Sequence, residues 1–252
     1  MPALHRTVLV AAPTRLVFRF LSESEFFSRW WGPGSEIDAK VGGVVHIVHP
    51  GGNVAGGTVT SIEAPTRIEF TYGYERETAG LAVGDSNVVI TLREVTEGTE
   101  LTLEHRTPDE ASTRAHVAGW RYQLAVLAGA AADFAHREVT SVADDWFDAW
   151  NTKDAAPRTK LLARCTSDQV QFRDRYSCGS GRDELVEHIG QAQQHMPGLT
   201  IARDGDVRHC QGTAMVGWTV TSPDGAIVAR GTDIYRLAPD GRIADSVGLW
   251  SS

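Results

Sequence analysis

Read for its apolar and polar positions, the chain divides into two stretches that each build helices and strands, in different orders. "RTVLVAA" has the composition of a strand, and "PTRLVFRFLSESEFFSRWWGP" then places its apolar residues at helical spacing until Gly32 and Pro33. The pattern predicts one strand followed by one or two short helices. Five strand-like runs come next, "SEIDA", "GVVHIVH", "GGTVTSIEA", "TRIEFTYGYE" and "SNVVITLREV", with a sixth, "TELTLEHR", beyond the turn-forming Glu97-Gly98. This succession predicts an antiparallel meander. Val117, Trp120, Leu124, Leu127, Ala128, Ala131 and Phe134 recur at helical intervals after an acidic first turn, so a long amphipathic helix closes the first half.

The second half begins with helix-forming "SVADDWFDAWNTKD", in which Ser141 and Asp144 have the spacing of a capping box. A strand, "DQVQFRDRY", and a helix, "RDELVEHIGQAQQHM", lead into "LTIARDGDVRHC", "TAMVGWTVTS", "AIVARGTDIYRLA" and "RIADSVGLW", four strand-like runs. Pro223-Asp224-Gly225 and Pro239-Asp240-Gly241 supply turns, proline fixing φ and glycine accepting positive φ. The expected fold class is α+β in two domains, residues 1–137 and 138–252, with the boundary near 136–140. One strand face stands out. Every second residue back from the last turn gives Leu237, Tyr235, Asp233, Gly231, Ala229 and Ile227, apolar except for one carboxylate.

Composition narrows the function. A length of 252 residues with 42% apolar side chains can fill a core in each of two domains. A net charge of −8 has the wrong sign for phosphate neutralisation, which argues against nucleic acid as a partner. Cys165, Cys178 and Cys210 are odd in number and lack metal-ligand spacing, so no disulfide framework, metal or other cofactor is expected, and a reducing, cytoplasmic setting fits. No stretch approaches about 18 consecutive apolar residues, so no membrane span is expected. His188 and His195 share a helix face without a carboxylate or cysteine at ligand spacing, and read as solvated or core residues.

Trp30, Trp31, Gly32 and Pro33, with His116, Gly119 and Trp120 in the long helix, give the first half a resemblance to the START-like (SRPBCC) helix-grip superfamily. The branch it resembles is the activator-of-heat-shock-ATPase-like one. That resemblance covers about residues 3–135 and implies a meander closed by a long helix, with an apolar cavity between them. It makes Trp30, Trp31 and Trp120 candidate ligand-binding residues. "DDWFDAWNTKD", "VQFRDRYSCGSGRDELVEHI" and "GTDIYRLAPDGRIADSVGLW" make the second half similar to the nuclear-transport-factor-like superfamily, which includes SnoaL-type cyclases and ketosteroid isomerases. Here the resemblance implies a cone-shaped domain with a curved antiparallel sheet, able to form a homodimer.

Strand alternation puts Asp174 on one face with Val170, Phe172 and Tyr176, and burial there would favour its neutral form. In a ketosteroid isomerase the position matching Asp174 carries the base, and the position matching Asp233 carries a protonated acid that donates to the developing enolate. Trp146 stands where that family has a tyrosine, and its indole can donate one hydrogen bond but cannot act as an acid. The expected site is therefore Asp174 as base, Asp233 and Trp146 as oxyanion donors, and Trp218, Tyr235, Trp250, Phe172 and Tyr176 as apolar walls. The expected partner is a small hydrophobic molecule, polyketide-like or steroid-like, either isomerised or cyclised through an Asp base or, alternatively, bound without chemistry.

Overall fold

A computed structural model describes residues 1–76 and 81–251, and the chain separates into two compact units, Met1–Ala132 and Asp133–Ser252. In the first unit β1 (Ala3–Val10) leads into α1 (Thr14–Ser22) and α2 (Ser24–Trp31). The predicted helical stretch is thus two helices, broken where Glu23 takes an extended backbone conformation. β2 (Glu36–Ile37), β3 (Val44–Val48), β4 (Val54–Glu63), β5 (Arg67–Tyr74), β6 (Ser86–Val95) and β7 (Gly98–Arg106) follow. They form an antiparallel sheet in the order β1-β7-β6-β5-β4-β3-β2, a meander whose last strand returns beside the first. Its buried apolar residues and those of α3 (Glu110–Ala135) make up the core of this unit, Trp120, Leu124 and Leu127 among them.

The second unit opens with α4 (Val139–Asn151) and α5 (Ala155–Cys165). The expected capping box is not formed. α4 starts two residues before Ser141, and Asp144 instead accepts a hydrogen bond from Arg203 Nε at 2.7 Å. β8 (Thr166–Arg173), β9 (Cys178–Ser180), α6 (Arg182–His195), β10 (Thr200–Cys210), β11 (Thr213–Thr221), β12 (Ile227–Leu237) and β13 (Ile243–Trp250) complete it. Their order is β10-β11-β12-β13-β8-β9, and all neighbours are antiparallel except β13 and β8, which run parallel. The sheet is thus antiparallel as expected, with that one parallel pair added. The pair brings the turn after β8 beside β13, at the end of the sheet where the site lies.

The register across β11, β12 and β13 fixes which side chains meet. Trp218 lies opposite Gly231, and Gly248 lies opposite Asp233. A Cβ at Gly231 would collide with the Trp218 ring, so glycine is what lets that indole lie across β12. On β12, Leu237, Tyr235, Asp233 and Gly231 are buried as the alternation predicts, while Ile227 at the strand's start is half exposed. Trp146 and Phe147 of α4, Leu185 and Ile189 of α6, and Trp218 and Tyr235 of the sheet belong to one apolar cluster.

Candidate functional site

Between α4, α6 and the concave sheet of the second unit lies a cavity of about 670 Å³. Trp146, Phe172, Asp174, Tyr176, Trp218, Asp233 and Trp250, all named from the sequence, line it. Tyr235 lies behind this wall with no exposed surface and reaches the site only through its hydroxyl.

Asp233 is the organising group. Its side chain is buried, yet its oxygens receive three donors: Trp218 Nε1 to Oδ1 at 2.7 Å, Trp146 Nε1 to Oδ2 at 3.2 Å, and Tyr235 Oη to Oδ2 at 3.1 Å. Burial disfavours the charged form and these donors favour it. Burial prevails, with help from the nearby Asp174 charge, and pushes the carboxyl up to about 6. Tyr235, enclosed beside that carboxylate, is pushed well above the ordinary phenol range and so remains a donor.

This arrangement revises the roles expected from the sequence. Trp146 directs its single N–H at Asp233, so that N–H is not aimed at a ligand oxygen. Asp233, surrounded by donors, is an acceptor rather than a protonated donor. An ionised carboxylate offers about four acceptor positions and three are taken. Oδ1 holds one donor and Oδ2 holds two, which leaves the open position on Oδ1. That same atom lies 3.3 Å from where a Cβ would sit on Gly248, and Asp174 Cβ lies 3.0 Å from that point, so a side chain at this position would crowd both carboxyl-bearing residues.

Asp174 is also placed differently. β8 ends at Arg173, and Asp174 Oδ1 accepts hydrogen bonds from Tyr176 N at 2.7 Å, Ser177 N at 2.8 Å and Ser177 Oγ at 2.9 Å. These bonds close the turn into β9 and take Asp174 off the strand face assumed from alternation. Tyr176 consequently turns outward, 70% exposed, and meets the edge of Trp250 at the rim, with ring centroids 5.1 Å apart. It is a rim residue, not a buried wall.

The sequence reading missed the polar side of the cavity. His188, Gln191 and His195 of α6 line it, with His188 packed between the rings of Trp150 and Phe172. The seven-residue spacing of the two histidines was the available signal. Among the described residues no group of His, Cys, Asp and Glu side chains has a metal-binding arrangement.

In the first unit Trp30, Trp31 and Trp120 are packed in the interior. Trp31 touches Trp30 and Trp120 at centroid distances of 4.3 and 5.4 Å. Trp30 donates to Phe20 O, and Trp120 donates to His105 Nδ1 at 2.9 Å. These contacts describe core anchors. His105 in turn bonds Ser86 Oγ at 2.8 Å, and burial lowers its pKa to about 3, so it is a neutral imidazole.

Residues 11–132 match the family described as Activator of Hsp90 ATPase homolog 1-like protein, and residues 143–246 match the SnoaL-like domain. The chain joins an AHSA1-like domain to a SnoaL-like domain. Similar solved structures include a SnoaL-like family protein from Agrobacterium tumefaciens, 28% identical with a TM-score of 0.44, covering 47% of this chain and 99% of that one. An AHSA1-like protein from Rhizobium etli is 27% identical with a TM-score of 0.42, covering 52% of this chain and 81% of that one. No curated protein matches the chain. The AHSA1-like and SnoaL-like pair is of the ligand-binding or isomerase/cyclase fold type. Among the described residues no helix is long and apolar enough to cross a membrane.

Proposed function

We propose that the SnoaL-like domain takes up a small, largely apolar carbonyl compound and that Asp233 removes a proton from the carbon beside the carbonyl. The observation that supports this reading is the buried Asp233 carboxylate on the cavity wall, raised to about 6 and open at Oδ1. A base of that strength is ionised at neutral pH and is still more basic than an ordinary aspartate. Trp146, Trp218 and Tyr235 hold it in place, so little reorganisation accompanies proton transfer. In this assignment Asp174 shapes the turn and contributes negative charge, while Asp233 carries the chemistry.

The test is hydrogen–deuterium exchange at C1 of 2-tetralone, a bicyclic ketone whose α-hydrogens are acidified by both the ring and the carbonyl. The protein is expected to accelerate exchange over buffer, with a rate that rises through pH about 6 and then levels. Asp233→Asn should abolish the acceleration and Asp174→Asn should retain it. The same triple bonding also supports a second reading, in which Asp233 is a structural acceptor and the pocket only binds. Tight binding of 2-tetralone without any acceleration by wild type would select that reading.

A further inference from the structure

Several polar side chains on the wall of the SnoaL-like cavity are already bonded within the protein. Asp233 holds three donors, and Asp174 closes its own turn. Asn151 is tied to the backbone of Phe147 and Ile201, and Gln193 donates to Trp150 O at 2.6 Å. His195 Nδ1 donates to Gln191 O at 2.8 Å. Two residues of α6 differ. Among the described residues the side chains of His188 and Gln191 have no hydrogen-bond partner, although both line the cavity, and none of their nitrogen or oxygen atoms is sealed from solvent.

Three residues apart on α6, the two side chains are neighbours on one helix face. His188 is half-buried and meets the rings of Trp150 and Phe172 at centroid distances of 5.8 and 5.5 Å, and both of those rings line the cavity. The imidazole is therefore restrained while its nitrogens stay open. A neutral imidazole offers one N–H and one lone pair, and a primary amide offers donors and an acceptor. A ligand hydroxyl, which gives one proton and accepts another, matches both residues, whereas an ether or ketone oxygen uses only their donors. A carboxylate is disfavoured, because Asp233 and Asp174 share the cavity wall and Arg173 is already paired with Asp245 at 3.0 Å. The two α6 side chains are also set apart from Asp233. Trp150 touches Trp146 at a centroid distance of 6.4 Å and Trp146 donates to Asp233, so the path along the wall from His188 to that carboxylate crosses two indoles.

We propose that His188, with Gln191 beside it, determines the specificity of this cavity by binding a hydroxyl group at the end of the ligand remote from the reacting carbonyl. The ligand class is then a largely apolar ketone that carries a second, hydroxyl function. This rests on the reading of the cavity as a carbonyl-compound site with Asp233 as its base. A cavity of about 670 Å³ lies within the range of about 300–1,000 Å³ that encloses drug-sized molecules, so it has room for both functions.

Isothermal titration of the full chain with three ketones tests this. They are 2-tetralone, 6-hydroxy-2-tetralone, whose hydroxyl sits at the far end of the rings from C1, and 6-methoxy-2-tetralone, which keeps that oxygen but cannot donate. Wild type should bind the hydroxy ketone about 3- to 10-fold more tightly than 2-tetralone, the range of one neutral hydrogen bond, and the methoxy ketone should show no such advantage. His188→Phe keeps a ring between Trp150 and Phe172 and removes both nitrogens, so it should abolish the advantage. Its affinity for 2-tetralone should be unchanged, which also shows that the variant is folded. Asp233→Asn should keep the advantage. The proposal is overturned if the advantage is absent in wild type, survives His188→Phe, is lost in Asp233→Asn or is matched by the methoxy ketone, and equally if wild type binds none of the three. A His188-dependent advantage together with no exchange at C1 of 2-tetralone in wild type would uphold the hydroxyl site and remove only the base, and exchange at C1 without the advantage would do the reverse.

Discussion

Replacing Asp233 with asparagine separates the two effects that act on this carboxylate. In the folded protein its pKa is about 6, against 3.8 for an ordinary aspartate, a rise of about two units. At 1.36 kcal/mol per unit the raised value corresponds to about 3 kcal/mol. The sign follows from proton counting. Between the two pKa values the unfolded chain has already released this proton while the folded chain still holds it, so wild-type stability declines as pH rises through that window. Above about pH 6 both states are ionised and the full penalty is present. Asp233→Asn has no such proton. Relative to wild type, the variant should gain about 2–3 kcal/mol between about pH 4 and about pH 7. Its absolute stability is set by a different effect, because the amide turns an N–H toward indole or phenol donors, so the pH-dependent difference is the quantity to read. Urea-dependent hydrogen exchange of peptides covering β11 to β13 confines the measurement to the second unit. A difference that stays flat with pH, or that shrinks toward neutral pH, would refute the reasoning and show that the three donors outweigh burial.

Three further outcomes follow from the same geometry. Gly248→Ala sets a methyl group 3.3 Å from Asp233 Oδ1 and 3.0 Å from Asp174 Cβ, so exchange of 2-tetralone should fall by at least about tenfold while the melting temperature stays within a few degrees. Asp174→Asn keeps an oxygen able to accept the turn's hydrogen bonds and should be near neutral in chemical denaturation, whereas Asp174→Ala should lose about 1 kcal/mol. The first unit should weaken in acid, because His105 stays neutral down to about pH 3 while the unfolded chain takes up a proton near its ordinary 6.5. That mismatch removes about 1.4 kcal/mol per pH unit across the window, and His105→Gln should flatten the slope in urea titrations of the first unit.

Alternation along "GTDIYRL" was enough to put Asp233 and Tyr235 on the core side of β12, because a paired central strand enforces its two-residue period. The turns at Pro223-Asp224-Gly225 and Pro239-Asp240-Gly241 were legible for a local reason, and Gly225 and Gly241 do adopt positive φ. Asp174 escaped the same logic. Its carboxylate competes for the amides of Tyr176 and Ser177 and ends the strand three residues earlier than the pattern suggests, so Tyr176 moves to the rim. The destination of the Trp146 N–H could not be read from spacing either, since its acceptor lies 87 residues away on another element. Fold followed from short-range periodicity, whereas the direction of each hydrogen bond in the site depended on contacts between strands and helices far apart in sequence.

The parallel pairing of β8 with β13 has a consequence for how the protein is made. Residues through Ala132, which include every strand of the first unit, are synthesised before any residue of the second unit's cavity wall. The second unit cannot follow the same schedule. β8 must wait for its parallel neighbour until Ile243–Trp250 is complete, and in that interval Val170 and Phe172 have no sheet partner on that side. Domains emerging vectorially fold as units, and apolar strand edges left unpaired during synthesis are where misassembly begins. The strand that supplies Gly248 and Trp250 to the site is thus also the one whose arrival ends the nascent chain's most exposed stage.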